Sequence, residues 1–354
     1  MFLEIERKNY TVKIAEPTLY VDNKSRGRSG HMTHALAEYA PGKLIDFNSN
    51  CTAVKYNGHS TFGWVEYRLS EDGGETFSEI HELPYSKEAL FDGIYVISVE
   101  KAVACDDGRI VAICLRNDAD SLCQPWDTPM TVTSFDGGKT WTKEQELCSY
   151  KGRVYDACYH NGIIYVLEFC NDGTGSFCGE KEEHVYRIFT SKNNGETFEE
   201  LCVVPIPSHR RGYGSMVFDD KGNLHVYAYN AEDEQNMDHI ISKDLGNSWC
   251  EPTLCFLKDG IRNPQVAQID GIFVAHGRNM QRTGFVLYTS EDGQNWDEGS
   301  YIGHATGVCY YSNNILLKDK NGNNRLLIQY SENYGVASCV NIFHTWLTVE
   351  KRDS

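Results

Sequence analysis

Ser70-Glu71-Asp72-Gly73-Gly74-Glu75-Thr76-Phe77 is the stretch on which the fold is decided. Its aspartate can accept hydrogen bonds from the backbone amides of a tight turn. Its glycine supplies a positive φ, and its terminal aromatic turns back into the sheet and holds the hairpin by burial. The same unit returns as SFDGGKTW from Ser134, SKNNGETF from Ser191, SKDLGNSW from Ser242 and, one residue shorter, SEDGQNW from Ser290. Successive starts lie 64, 57, 51 and 48 residues apart, the length of a four-stranded sheet with its loops. An alternating strand precedes each copy (GWVEYRLS, PMTVTS, VYRIFTS, MDHIIS and FVLYTS). One such turn is weak evidence; five in register are a repeat.

Outward from these turns, each unit opens with an apolar inner hairpin. EKAVACDDGRIVAICLRND, DACYHNGIIYVLEF, GSMVFDDKGNLHVYAYN and NPQVAQIDGIFVAHGRN each turn at a glycine. A sixth hairpin, YYSNNILLKDKNGNNRLLIQYSEN, follows the last turn and has no such turn of its own. The expected fold is therefore all-β, a six-bladed β-propeller of four-stranded antiparallel blades, one domain over residues 1–354. Blades are expected at about 26–80, 93–145, 152–200, 208–252, 260–299 and 305–349. The amino-terminal strand closes the ring onto blade six, which protects the sheet edges.

Composition agrees and narrows the function. With 41% hydrophobic residues, 31 Gly, 21 Tyr and only 9 Pro, the chain suits strands and turns. A net charge of −17 argues against nucleic acid and anionic membranes as partners, since both need a basic face. A small anionic ligand needs only a local arginine cluster. The thirteen cysteines include no CxxC pair, and some alternate into strands (Cys105, Cys114, Cys158, Cys339). With a charged amino terminus that lacks an apolar run, this reads as a cytoplasmic protein with reduced thiols.

The repeat resembles the sialidase superfamily of Asp-box, or BNR-repeat, propellers, from about residue 26 to 347. That resemblance implies a site at the propeller axis, where three arginines clamp a sugar carboxylate. It also implies a tyrosine nucleophile paired with a glutamate, and an aspartate as acid/base. A neutral nucleophile avoids repulsion from an anionic substrate. Tyr310-Tyr311-Ser312 and, across the hairpin, Gln329-Tyr330-Ser331-Glu332 resemble the family's blade-six hairpin. By that match Tyr311, or Tyr310, is the nucleophile candidate, and Glu332 would orient an arginine.

Arginine candidates stand near blade starts: Arg28, Arg153, Arg211, Arg262 and Arg278. The bidentate guanidinium fork suits a carboxylate, and a buried arginine near the axis implies an anion. Asp156, with Glu100, Lys101, Tyr155 and Glu168, is a further pocket candidate, and Trp126 is positioned in a loop to stack on a sugar face.

The resemblance has gaps. The stretch from Asn48 to Gly63, where the acid/base aspartate belongs, contains no carboxylate. Tyr213 or Asn263 falls about where the activating glutamate is expected. His31, His34 and His59 are the candidates to move protons in their place, an imidazole being suited to that near neutral pH. No metal and no cofactor are expected. The leading expectation is an exo-acting glycoside hydrolase for a terminal acidic sugar such as a sialoside or uronoside. A lyase on uronic-acid glycans, using His or Tyr, and a non-catalytic glycan-binding propeller are the alternatives. The partner is a small glycan, and a homo-oligomer is compatible with an uncapped acidic propeller.

Overall fold

The computed structural model describes residues 2–30, 33–52, 62–93, 95–118, 126–174, 176, 178–303, 311–335 and 339–352. Within them the repeat folds into six antiparallel sheets arranged as a six-bladed β-propeller. The innermost strands are His34–Ala40, Tyr95–Ala104, Gly152–His160, Arg211–Phe218, Arg262–Ile269 and Ser312–Lys318. Each touches the next, and the last touches the first, so the ring is closed.

The repeated turns build as their chemistry requires. Asp72 Oδ1 accepts from the backbone N–H of Glu75 (3.1 Å) and Thr76 (2.9 Å), while Oδ2 accepts the Thr76 hydroxyl. Ser70 Oγ accepts the Gly74 N–H at 2.9 Å. Asp136 repeats the pattern with Lys139 and Thr140, and Asp244 with Ser248. These bonds hold the carboxyls of Asp72 and Asp136 down at about 2. Gly138, at φ +88°, shows why glycine stands there, since a Cβ would meet Ile45 Cδ1 at 3.1 Å.

Apolar faces meet between neighbouring blades rather than within one sheet. Phe47, Val65, Val99 and Val132 join blades one and two, and Val111, Ile113, Val154 and Val166 join two and three. Comparable clusters fill the next three interfaces. The seam between blades six and one is thinner, with Leu36, Leu44, Leu317 and Leu327. A polar network supplements it. Buried Asp46 lies 2.9 Å from His344 Nε2 and accepts from Gln329 Nε2, and Gln329 Oε1 is 3.2 Å from His34 Nδ1. Burial raises the Asp46 carboxyl, and the His344 and Gln329 contacts work against that rise.

Closure is made from the amino terminus. Tyr10–Ile14 pairs with Val340–Lys351 as the fourth strand of blade six, and Leu3–Glu6 extends the sheet outward. Thr18–Val21 pairs with the other end of the same long strand. One helix of eight residues, Pro84–Phe91, runs from blade one to blade two with proline at its first turn. Among the described residues no helix is long and apolar enough to cross a membrane.

Candidate functional site

Five of the six inner strands carry one residue too many for their ladders: Tyr39 in blade one, which lies outside the axial pocket, and one more in each of blades two to five. Register breaks at Glu100 in blade two, Tyr155 in blade three, Tyr213 in blade four and Asn263-Pro264 in blade five. An extra residue bends its strand and re-aims a side chain. The extra residues of blades two to five line one pocket on the propeller axis, together with His34, Lys101, Arg153, Gln265, Tyr311 and Asn313. Two of them are strained: Tyr213 has φ 30° and Asn263 has φ 57°. The cavity between them is about 20 Å³, room for a single water-sized group.

Arg153 is the electrostatic centre. Its Nη2 lies 3.2 Å from Glu100 Oε1, and its guanidinium carbon stands 5.1–5.6 Å from the rings of Trp126, Tyr155 and Tyr213. Burial works to lower the Arg153 pKa, but Glu100 and the phenols of Tyr155, Tyr311 and Tyr213 raise it above the ordinary value. Arg262 also lies over the Tyr213 ring, at 5.9 Å, and over Tyr229 at 5.6 Å. Burial opposes its charge as well, and Tyr213, Tyr229 and Tyr311 outweigh that. Tyr213 thus has two guanidiniums, 5.6 and 5.9 Å from its ring. Glu100 is raised by burial, with Arg153 and Lys101 pulling it back.

Beneath this layer the axis is plugged. Lys101 Nζ donates to Gln265 Oε1 (2.8 Å) and Asn313 Oδ1 (2.5 Å) and pairs with Asp156 Oδ1 (3.0 Å). Asp156 Oδ2 also accepts from Ser215 Oγ and the Met216 N–H. Both charges are fully engaged, so Asp156 is a floor strut and does not face a ligand. His34, whose Nδ1 meets Gln329, lines the pocket wall.

Of the sequence candidates, Arg153, Tyr311 and His34 line the pocket together, and Arg262 lies 5.9 Å from the ring of the pocket residue Tyr213. Arg278 is the cross-strand partner of Arg262, is buried, and its side chain makes no hydrogen bond or ion pair among the described residues. Arg211 is elsewhere: Asp238 (2.6 Å) and Glu232 (2.9 Å) neutralise it. Arg28 is held by the side chain and carbonyl of Asn50 and lies over Trp64, outside the described lining of the pocket. Trp126 is buried under Arg153, where it cannot stack on a sugar. Glu332 sits opposite Asn341 on blade six, outside the described lining of the axial pocket. Glu168 is in the blade-three sheet, accepting from Cys148 Sγ at 2.9 Å, away from the axis. His31, His59 and Tyr310 lie outside the described residues. Gln265 and Asn313 escaped the sequence reading; a polar residue a few places into each inner strand was the available signal.

No protein-family model matches the chain, and no curated protein matches it. Solved structures do. A Dyadobacter fermentans protein of unknown function aligns over 96% of this chain and 99% of its own, at 13% identity and TM-score 0.69. A Hadza microbial sialidase aligns over 93% and 68% of the two chains, at 12% identity and TM-score 0.67. Trypanosoma rangeli sialidase aligns over 95% and 59%, at 11% identity and TM-score 0.63. At these identities the likeness is one of fold, and the fold is that of sialidases.

Proposed function

We propose that the chain is an exo-acting glycoside hydrolase for a terminal acidic sugar, a sialoside or uronoside, with the lining of the axial pocket as its active site. The cavity of about 20 Å³ takes one small group of the sugar, and the ring enters only as that lining parts. The observation that carries this reading is Arg153, which holds Glu100 at 3.2 Å and lines one pocket with Tyr311. One buried guanidinium thereby serves an acid, a nucleophile and an incoming carboxylate. Arg153 and Arg262 draw the sugar carboxylate to the axis. Glu100 is the carboxyl among the described pocket-lining residues, and burial keeps its proton on to higher pH than usual, as a general acid requires. Tyr311 attacks the anomeric carbon and passes its phenolic proton to the imidazole of His34 in the same pocket, while Glu100 protonates the leaving oxygen. Water then releases the sugar from Tyr311, with Glu100 taking up the water's proton and His34 returning its proton to the Tyr311 oxygen.

The test is release of 4-methylumbelliferone from its sialic acid and glucuronic acid glycosides by wild type, Tyr311→Phe and Glu100→Gln. The expected result is turnover of one substrate, reduced by roughly a hundredfold or more in both variants. Turnover that survives in Tyr311→Phe refutes the nucleophile.

A second reading is favoured by the crowding of Tyr155, Tyr213 and Tyr311 around two arginines beside a single described carboxyl. There a tyrosine, as its phenolate held by the arginines, removes a proton next to an Arg-neutralised carboxylate, and the glycan is cleaved by elimination as Glu100 protonates the departing oxygen. A product absorbing in the ultraviolet, from a 4,5-unsaturated uronic acid, selects that reading; silence in both assays leaves a glycan-binding propeller.

A further inference from the structure

The geometry points to Asn263 as the residue that reads a neutral hydroxyl of the bound sugar, an assignment that rests on the acidic-sugar reading of the same pocket. Asn263 is 5% exposed and lines the axial cavity. Neither its Oδ1 nor its Nδ2 has a hydrogen-bond partner among the described residues. A buried amide with every polar atom unmatched is costly, and native structures keep few of them.

Other buried asparagines in this chain behave differently. Asn279 Oδ1 accepts from the Thr283 and Gly284 N–H groups, and its Nδ2 donates to Gln281, Thr283 and Tyr301. Asn230 Oδ1 accepts from two successive backbone amides. Those asparagines tie loops together. Asn263 ties nothing, and it also carries a left-handed backbone at φ 57°, fixed between Arg262 and Pro264 where the strand bulges. Strain and unmatched polarity on one pocket residue have a common explanation in a ligand that matches the amide.

The chemistry of that ligand group follows from the amide itself. A carboxamide carries one acceptor, two donors and no charge. A carboxylate only accepts, so it would leave Oδ1 unmatched, and a cationic group would leave Nδ2 unmatched. A hydroxyl both donates and accepts, and satisfies both ends. The neighbouring Arg153 and Arg262 take the anionic group, so Asn263 sorts among acidic sugars by the hydroxyl placed beside the carboxylate.

Wild type, Asn263→Gly and Asn263→Asp are compared by calorimetric titration with N-acetylneuraminic, glucuronic and galacturonic acids and with neutral galactose and N-acetylglucosamine. Melting temperatures are measured without sugar. Glycine accepts φ 57° freely and removes both unmatched groups. Ligand-free Asn263→Gly is therefore expected to melt within about a degree of wild type, or above it. Its affinity for the sugar that wild type binds falls roughly ten- to a hundredfold, the loss of two hydrogen bonds. Asn263→Asp keeps the shape but sets a carboxylate against the anion, and binds acidic sugars more weakly still. A clear drop in the melting temperature of Asn263→Gly, or unchanged affinity, overturns the assignment. Binding of neutral sugars alone, lost in Asn263→Gly, overturns the acidic-sugar reading and keeps Asn263 in its role. No binding of any of the five sugars by wild type overturns both.

Discussion

Replacing His276 with glutamine tests how the propeller holds a neutral imidazole next to its axis. His276 Nδ1 is 2.9 Å from Ser312 Oγ, and its Nε2 is 2.9 Å from Asn314 Nδ2. Both contacts suit one neutral tautomer, in which Nδ1–H donates to the hydroxyl and Nε2 accepts from the amide. A second proton on Nε2 would face an N–H. Burial, with Lys101 nearby, takes the imidazole down from 6.5 to about 3. In the unfolded chain it takes up a proton as pH falls through 6.5, whereas the folded chain does not. Stability is therefore intact above 6.5 and lost progressively toward 3. Between pH 7.5 and 5 the linkage is worth about 2 kcal/mol.

Wild type alone does not report that loss, because Glu168 works the other way. Burial raises its carboxyl to about 7, so the folded chain binds that proton first, and stability gains about 2 kcal/mol over the same interval. The difference between wild type and His276→Gln isolates the imidazole. At pH 7.5 the variant is expected to be less stable by about 1–3 kcal/mol, from the lost Ser312 contact and altered packing. Urea unfolding at pH 5 should find that gap reduced by about 2 kcal/mol. A gap that stays constant to within about 0.5 kcal/mol across the two pH values refutes the argument, and a gap that widens means the folded imidazole is charged.

Lys101→Met strands Asp156 in the axial plug and is expected to destabilise by about 3–5 kcal/mol in urea, with Lys101→Met/Asp156→Asn recovering part of it. Gly138→Ala forces an alanine to φ +88° against Ile45 and should cost about 1–3 kcal/mol in the same assay. Asp72→Ala removes the acceptor that organises the first repeated turn and should lower the melting temperature at pH 7. Because the Asp72 carboxyl is depressed to about 2, its contribution is full above the ordinary carboxylate value and disappears as pH falls through 2. Melting curves of wild type and variant should therefore converge between pH 4 and 2; parallel curves count against the turn as the cause.

The propeller was legible because its signals are local. A turn such as Ser70 to Phe77 satisfies its own amides within eight residues, and the strand before it alternates whatever its neighbours do. Five such turns with their inner hairpins state the blade count once the sixth hairpin is added. The amino-terminal closure followed from the missing outer strand of blade six, which Tyr10–Ile14 supplies.

The site was legible in part, since Arg153, Tyr311, Arg262 and His34 stand at or near the starts of inner strands. Which of the arginines face a ligand was not, because that depends on partners far away in the chain. Arg211 is neutralised by Asp238, 27 residues on, while the side chain of Arg278 meets no carboxylate among the described residues. Glu100, Tyr213 and Asn263 were named as residues, but their convergence was not readable. A single extra residue in a strand turns a side chain from the sheet face to the axis, and packing between blades decides where that residue falls. The sequence by itself determined the repeat, the ring and the supply of arginines and tyrosines, because those rest on short-range hydrogen bonding and alternation. Only the tertiary structure decided which charges cancel, which side chains reach the axis and which amide is left unmatched there, because each is a balance among groups that meet only when six blades close.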